Sequence, residues 1–520
     1  MEKSAIPLRK LGKLEQIVYS NPIVEQPYLG AGLFLKQHLA NGDPAEARAI
    51  LCEVVDLLLR TDRMLSVVVL DNDTTGPRFG GLTQSIDPNE CIEIVKHNTL
   101  PSEEDTRIDN FIKKKLCACP DRTITSKPMW KLILSQGDRD KGVPDILGFS
   151  NSHAILDGRS TWKFIGYGLK YLDYVVARRN GEQAPFDLNL PDFAKLAHET
   201  YIPPSIDDYY KLQSSISRTF QKFFTHLLWP TLSTNARKAL GYYESPYFAD
   251  GTNGVIPHNT PTRSITFNLT SLYTAVKGAP IDSKLTVQAV LYSLMAAAML
   301  KSSDYFRTLT QKGLQQEPTP YPCNGSMDTY AISLVGHEGP KDYKFGNYFS
   351  FGEYYSNINH SSNFWEIAAD YLQDLNSPSS RQEALENIPL VHSMTNLTKY
   401  TKNANRSRML KAPGRASFML TNVGPLFSEK DVSERVGKAS ETSEIFGGFD
   451  TLTTQVICGM CVSSLTKSTD PCCRFLWWPN VASDDWVEYF IGRLKLGAER
   501  LAKNANNPDP NLSLFEAVSD

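Results

Sequence analysis

His153 is the residue of this chain best placed for acid–base chemistry. It stands in GFSNSHAILDGRSTW (Gly148 to Trp162), after an apolar run and ahead of a helix-like segment. Asp157 follows four positions on, and Gly158 directly after that. An imidazole titrates near neutrality, so on a loop between a strand and a helix it suits a general base. Of the nine histidines, only His153 has that setting. The same residues also read as a core histidine followed by an Asp-Gly turn that caps the next helix. Asp157 is too constrained by the short turn to be read as a triad partner. A salt bridge to a buried arginine would let it lock the loop instead, with Arg60 and Arg63 as candidates.

Other clusters point less directly to chemistry. Cys458-x-x-Cys461 with Cys472-Cys473 has the residue types of a zinc site, yet Cys458 lies in an apolar stretch. Cys472 and Cys473 point to opposite faces of a strand, so buried reduced thiols are expected and no metal. The patterns HExxH, GxGxxG, GxSxG and the P-loop are absent, which removes several enzyme classes. KYTKNANRSRMLKAPGR (Lys399 to Arg415) holds six basic residues and no acid. It reads first as a solvated loop. SSISRTFQKFFTHLLW (Ser214 to Trp229) sets Ile216, Phe220, Phe223, Phe224, Leu227 and Leu228 on one helical face. Packing against the protein is favoured over a membrane surface, because the polar face carries few basic residues.

The elements that must position His153 are legible from periodicity. Asp43-Pro44 starts a helix that buries Ile50, Leu51, Val54, Val55 and Leu58. Strand-like segments follow at Ser66–Asp71, Cys91–Lys96, Trp130–Ser135 and Ile146–Ser150, the last ending just before His153. A helix from Arg159 places Trp162, Ile165, Leu169, Leu172 and Val176 at helical spacing. Between Arg178 and Pro261 the alternation stops, which predicts a bridge between two lobes. A second alternation begins with a strand at Thr262–Leu269 and a helix at Thr286–Leu300. Strands are expected near Ala331–Val335, Tyr348–Ser356, Ala416–Gly424, Thr451–Val462 and Cys472–Pro479, with helices opening at Ser362 and near Ser483. Strands alternating with helices in both halves predict an α/β class. The division is 1–180, a bridge 181–261, and 262–520.

Composition sets outer limits. The chain has 520 residues, 41% apolar and 21% charged, which is ordinary globular material with room for two cores. A net charge of −3 and a pI near 6.3 argue against a nucleic-acid partner. No apolar run approaches the ~18 residues that span a bilayer. The opening MEKSAIPLRKLGKLEQ lacks the apolar core of a signal peptide, and the nine cysteines are scattered. A cytoplasmic monomer is expected, with peripheral membrane contact as the one membrane association considered. The sequons at Asn268 and Asn396 carry no weight without secretion.

HAILDG resembles the H-x-x-x-D-G motif of the coenzyme-A-dependent acyltransferase superfamily, which includes chloramphenicol acetyltransferases, dihydrolipoyl acyltransferases, plant-type acyltransferases and condensation domains of peptide synthetases. The nearest resemblance is to fungal alcohol acetyltransferases. RKLGKLEQ resembles their R-x-L-G-x-x-E pattern, KPMWKLIL (Lys127 to Leu134) their P-x-W-x-L strand, and LTNVG (Leu420 to Gly424) their S-N-x-G strand. These segments occur in the expected order along nearly the whole chain. The resemblance implies two chloramphenicol-acetyltransferase-like lobes, each a mixed sheet with helices, meeting at a central channel. It implies His153 as general base, Asp157 as a loop-locking residue, and Thr421, in place of the family's serine, as hydrogen-bond donor to the oxyanion. Gly158, Asn422 and Gly424 are assigned to the turn and to substrate binding.

The partners implied are an acyl-CoA, acetyl-CoA above all, as co-substrate, and a small-molecule alcohol or secondary metabolite as acceptor. Lys411 and Arg415, leading into the strand of Thr421, are the residues expected to meet the CoA phosphates. Ser152, where condensation domains carry a further histidine, favours a free-standing O-acyltransferase. A condensation-like enzyme with a carrier-bound donor or an amine acceptor, and a silent binding protein of the same fold, are the alternatives.

Overall fold

The computed structural model describes residues 5–20, 28–70, 76–83, 86–96, 108, 111–117, 127–197, 201–213, 262–281, 284–312, 326–400, 416–448, 456–479 and 482–520. Its strands in the first half are β1 (Ala5–Lys10), β2 (Tyr28–Leu35), β3 (Val67–Leu70), β4 (Arg78–Leu82), β5 (Ile92–Lys96), β6 (Trp130–Gln136) and β7 (Ile146–Ser152). Those of the second half are β8 (Arg263–Asn268), β9 (Ser326–Gly336), β10 (Phe349–Asn359), β11 (Ala416–Pro425), β12 (Thr442–Gly448), β13 (Val456–Ser464) and β14 (Cys472–Trp477). The longer helices are α1 (Lys13–Ser20), α2 (Pro44–Leu59), α3 (Gly158–Arg179), α4 (Val287–Gln311), α5 (Phe364–Asn376), α6 (Pro378–Tyr400) and α7 (Asp484–Lys503).

Two large mixed sheets carry the fold, as the α/β reading expects. One has the order β12-β2-β7-β6-β5 and the other β10-β9-β11-β13-β14-β8, with a small sheet β1-β4-β3 beside them. In the first large sheet only β5 and β6 run parallel; in the second, β11 runs parallel to both β13 and β9. Strand β12 belongs by sequence to the second half but pairs antiparallel with β2 of the first, from Thr442 against Leu35 to Gly448 against Gly30. The sequence reading names no element over these residues. TSEIFGG has two glycines and a half-exposed face, so it lacks the apolar run that marks a buried strand.

Each sheet is covered for a physical reason visible in its residues. Strand β7 is buried at every position, so both faces need cover. Leu147 and Phe149 pack with the α2 and α3 core, whereas Ile146 packs with Ile112, Leu116 and Phe446 on the opposite face. Helix α4 is buried all round from Ala289 to Leu300, as a helix must be when it runs through a core without a polar stripe. The opening segment is tied by charge. Arg9 forks onto both oxygens of Glu15 at 2.7 Å each, and the Gly12 N–H donates to Glu15 Oε2 at 2.7 Å. Arg9 Nε also donates to Pro203 O at 2.6 Å, beside the Pro204 carbonyl that accepts from Tyr348 Oη at 2.7 Å. That tyrosine leads to the site.

Candidate active site

Strand β7 runs two residues beyond the expected end and delivers His153 at its tip. The chain then turns through Ala154–Leu156 and enters α3, with Asp157 as N-cap. Asp157 uses both carboxylate oxygens. Oδ1 accepts from Ser160 N at 2.7 Å, and Oδ2 accepts from Tyr348 N at 2.9 Å. The Asp157 N–H donates to Gly346 O at 3.1 Å, and Ser160 Oγ donates to the same carbonyl at 2.8 Å. Asn347 Nδ2 donates to His153 O at 2.6 Å. The segment Gly346–Asn347–Tyr348 of the second half therefore clasps the histidine loop of the first through backbone groups. The partners of the Asp157 carboxylate are backbone amides and not an arginine. Arg60 bonds Asp56 and Pro191 O, and Arg63 bonds Ser66, Leu82 O and Ala197 O. Among the described residues no arginine pairs with Asp157. Two backbone N–H groups satisfy a buried carboxylate as well as a cation does.

The His153 ring is buried and stacks on Phe349, with ring centroids 4.6 Å apart and planes inclined by 28°. Its Nδ1 has no hydrogen-bond partner. Burial pushes the imidazole below its ordinary value, opposed in smaller measure by backbone groups of His153 and Leu156 and by the Asp157 charge. Its neutral form is favoured.

Thr421 on β11 has a buried Oγ1 that is also without a partner. Both side chains line one pocket of about 300 Å³, shared by the two halves. Gly158, Asn422, Val423, Phe349, Gln288 and Ser463 line it as well. Asn422 Oδ1 accepts from Gly424 N at 2.9 Å and shapes the bulge there, where β11 slips register against β13. Gly424 has φ +84° and stands next to the lining residues Asn422 and Val423. Its carbonyl accepts from Trp162 Nε1 of α3 at 3.0 Å. That bond ties the Thr421 strand to the His153 helix. A Cβ on Gly158 would stand 3.2 Å from Val423 Cγ1, a tight contact at this turn.

Several expectations fall elsewhere. Lys411, Arg415 and the apolar helix of Ser214–Trp229 lie outside the described residues. Cys458, Cys461 and Cys473 are buried thiols, Cys461 being pushed up to about 12 by burial with Arg474 acting in opposition. Cys473 packs in the second-sheet core and Cys472 in a separate cluster on the opposite face. Among the described residues no group of three or more His, Cys, Asp or Glu is gathered as for a metal ion, and no helix is long and apolar enough to cross a membrane. Sequence reasoning misses Asn347 and Tyr348 as holders of the loop. Their segment FGNYFSFGEYY is conspicuous only for its aromatics.

The profile of the alcohol acetyltransferase family matches residues 101–465, more than half the chain, and includes both His153 and Thr421. The chain belongs to the alcohol acetyltransferase family. Among solved structures it is similar to TRI3 trichothecene 15-O-acetyltransferase from Fusarium sporotrichioides, at 11% identity over 95% of each chain with a TM-score of 0.61. It is also similar to the first condensation domain of the calcium-dependent antibiotic synthetase in complex with a substrate analogue, at 13% identity over 99% of each chain and a TM-score of 0.54. Polyketide synthase associated protein 5 from Mycobacterium tuberculosis is similar at 13% identity and a TM-score of 0.51, covering 96% of this chain and 100% of its own. No curated protein sequence matches the chain. At such identities the neighbours share the fold, that of the chloramphenicol acetyltransferase and condensation-domain superfamily. Membership of the family makes this alcohol acetyltransferase family chain an acyltransferase.

Proposed function

We propose that this chain is an O-acyltransferase that moves an acetyl group from acetyl-CoA to the hydroxyl of an alcohol or secondary metabolite. The carrying observation is the pair of unpartnered polar groups, on His153 and Thr421, that line one pocket between the two halves. A buried polar atom without a partner is costly, and a reacting substrate is what such atoms await. In this reading neutral His153 takes the proton of the acceptor hydroxyl as its oxygen attacks the thioester carbonyl. Thr421 Oγ–H donates to the oxyanion that forms. Collapse expels the thiolate of CoA, which takes the proton back from the imidazolium. The C–O bond forms, the C–S bond breaks, and no proton is left over. Asp157 stays turned away from the reactants, on its two backbone amides. A cytoplasmic monomer with acyl-CoA and a small alcohol as its partners goes with this reading.

The purified chain, given acetyl-CoA and a panel of alcohols and amines, should yield acetyl esters by mass spectrometry. Replacement of His153 by alanine should lower turnover at least ~100-fold while leaving Tm nearly unchanged. Ester formation at the normal rate in H153A would overturn the mechanism, and amide products alone would overturn the O-acyl assignment.

A further inference from the structure

Beyond the reacting centre, the same pocket carries two cations that acyl transfer does not use. Strand β11 pairs with β9 only from Phe418–Leu420 against Ala331–Ser333. Past that point the strands part, and the pocket runs between Thr421–Val423 on one side and Leu334–Gly336 on the other. Arg159 and Arg381 line the pocket at the β9 side, with Asn376. Both converge on Gly336. Arg381 Nη2 donates to Gly336 O at 3.1 Å. A Cβ on Gly336 would stand 3.0 Å from Arg159 Nε and 3.1 Å from its Cζ, so that guanidinium lies close against the strand at this glycine.

At this rim Arg159 is exposed and Arg381 half-buried. Arg159 is the second residue of α3 and Arg381 lies in the first turn of α6, each at the positive end of a long helix. Helix α3 has Asp157 as its N-cap but no acidic residue in its first turn, α6 has none in its first turn, and among the described residues no ion pair joins either guanidinium to a carboxylate. Their joint field reaches the neighbouring His337, whose imidazole is pushed down to about 4 by burial first and then by Arg381 and Arg159. That ring is therefore neutral at physiological pH and adds no third positive charge. Two guanidinium groups and two helix N-termini meet at this pocket, and the one carboxylate among its described lining residues, Asp157, is already bonded to two backbone N–H groups.

We propose that Arg159 and Arg381 form an anion-binding subsite at the rim of the catalytic pocket, which holds a phosphate or carboxylate carried by one of the two substrates. The proposal rests on the acyl-transfer reading of the pocket. Guanidinium forks match both anions bidentately, so the chemistry is shared and the source is a matter for experiment. Because Arg159 stands two residues past Asp157, an anion held there is held in register with the histidine loop.

The test uses the full chain and the double variant R159Q/R381Q. Inorganic pyrophosphate at millimolar concentration should raise the Tm of the wild type, and the double variant should lose that shift. In kinetics, the discrimination between acetyl-CoA and the uncharged thioester S-acetyl-N-acetylcysteamine should fall about tenfold if the anion belongs to the donor. If it belongs to the acceptor, the preference for a hydroxy acid over its methyl ester should fall about tenfold with the donor discrimination intact. Both effects should shrink at high salt. Equal pyrophosphate shifts in wild type and variant, together with unaltered discrimination on both arms, would overturn the subsite. A wild type that transfers acetyl from no donor, yet shows a pyrophosphate shift lost in the variant, would overturn the acyl-transfer reading and leave the anion site standing.

Discussion

His153 is kept neutral because its ring is buried against Phe349 and its nearest carboxylate, on Asp157, is already occupied by two amides. The imidazole therefore titrates below the 6.5 of an unperturbed histidine. In the proposed mechanism the neutral form is the base, so it is present above that depressed value and lost as pH falls through it. kcat/KM should accordingly be flat from pH 8 to about 6.5 and decline only at lower pH. A decline centred above 6.5 in the pH profile would contradict the buried neutral ring. Thr421 is tested by its shape. T421V keeps the volume but removes the donor and should cost about 100-fold in kcat, whereas T421S should retain most of it. Comparable losses in the two variants would move the oxyanion donor elsewhere.

Helix α3 is the element that fixes the site, and its N-cap does more than start a helix. Asp157 caps α3 through Ser160 N and reaches Tyr348 N, 191 residues along the chain. D157A leaves both amides unpaired and should destabilise the protein by about 2 kcal/mol or more, read from urea unfolding. D157N keeps an acceptor for one amide and should lie between. Activity should fall with stability in both, because the His153 carbonyl is held by Asn347 in the same clasp. At this scale the sequence was informative on one side only. An Asp-Gly pair before a 3.6-period apolar stripe marks a capped helix from local chemistry alone. Its second partner was expected to be an arginine and proved to be a backbone amide, and a backbone N–H carries no residue-type signal.

At the scale of the molecule, β12 joins the two halves into one structure. Phe446 on this strand is buried against Phe34, with centroids 5.3 Å apart, and fills the space above Gly32 that any Cβ would occupy. F446A should cost about 3–5 kcal/mol, as large-to-small changes in a core do. It should also split or broaden the thermal transition, because it loosens the strand that second-half residues lend to the first sheet. A single sharp calorimetric transition at an unchanged Tm would show that β12 does not couple the halves.

By itself the sequence determined the types of the strongly periodic elements, the histidine loop and the two strands that carry the site. Period-2 and period-3.6 patterns follow from which face of each element leaves water, and those patterns are local. It also determined the thiols as core residues, because Cys458 and Cys473 sit in apolar runs that have to be buried. Only the tertiary structure decided that β12 crosses to the other half and that the Gly346–Tyr348 segment clasps the histidine loop. It alone placed Arg159 and Arg381 over the same glycine. Those arrangements depend on backbone hydrogen bonds and charge placement between segments nearly two hundred or more residues apart. The residues involved have no periodicity in common, so no window along the chain contains both sides of any one of these contacts.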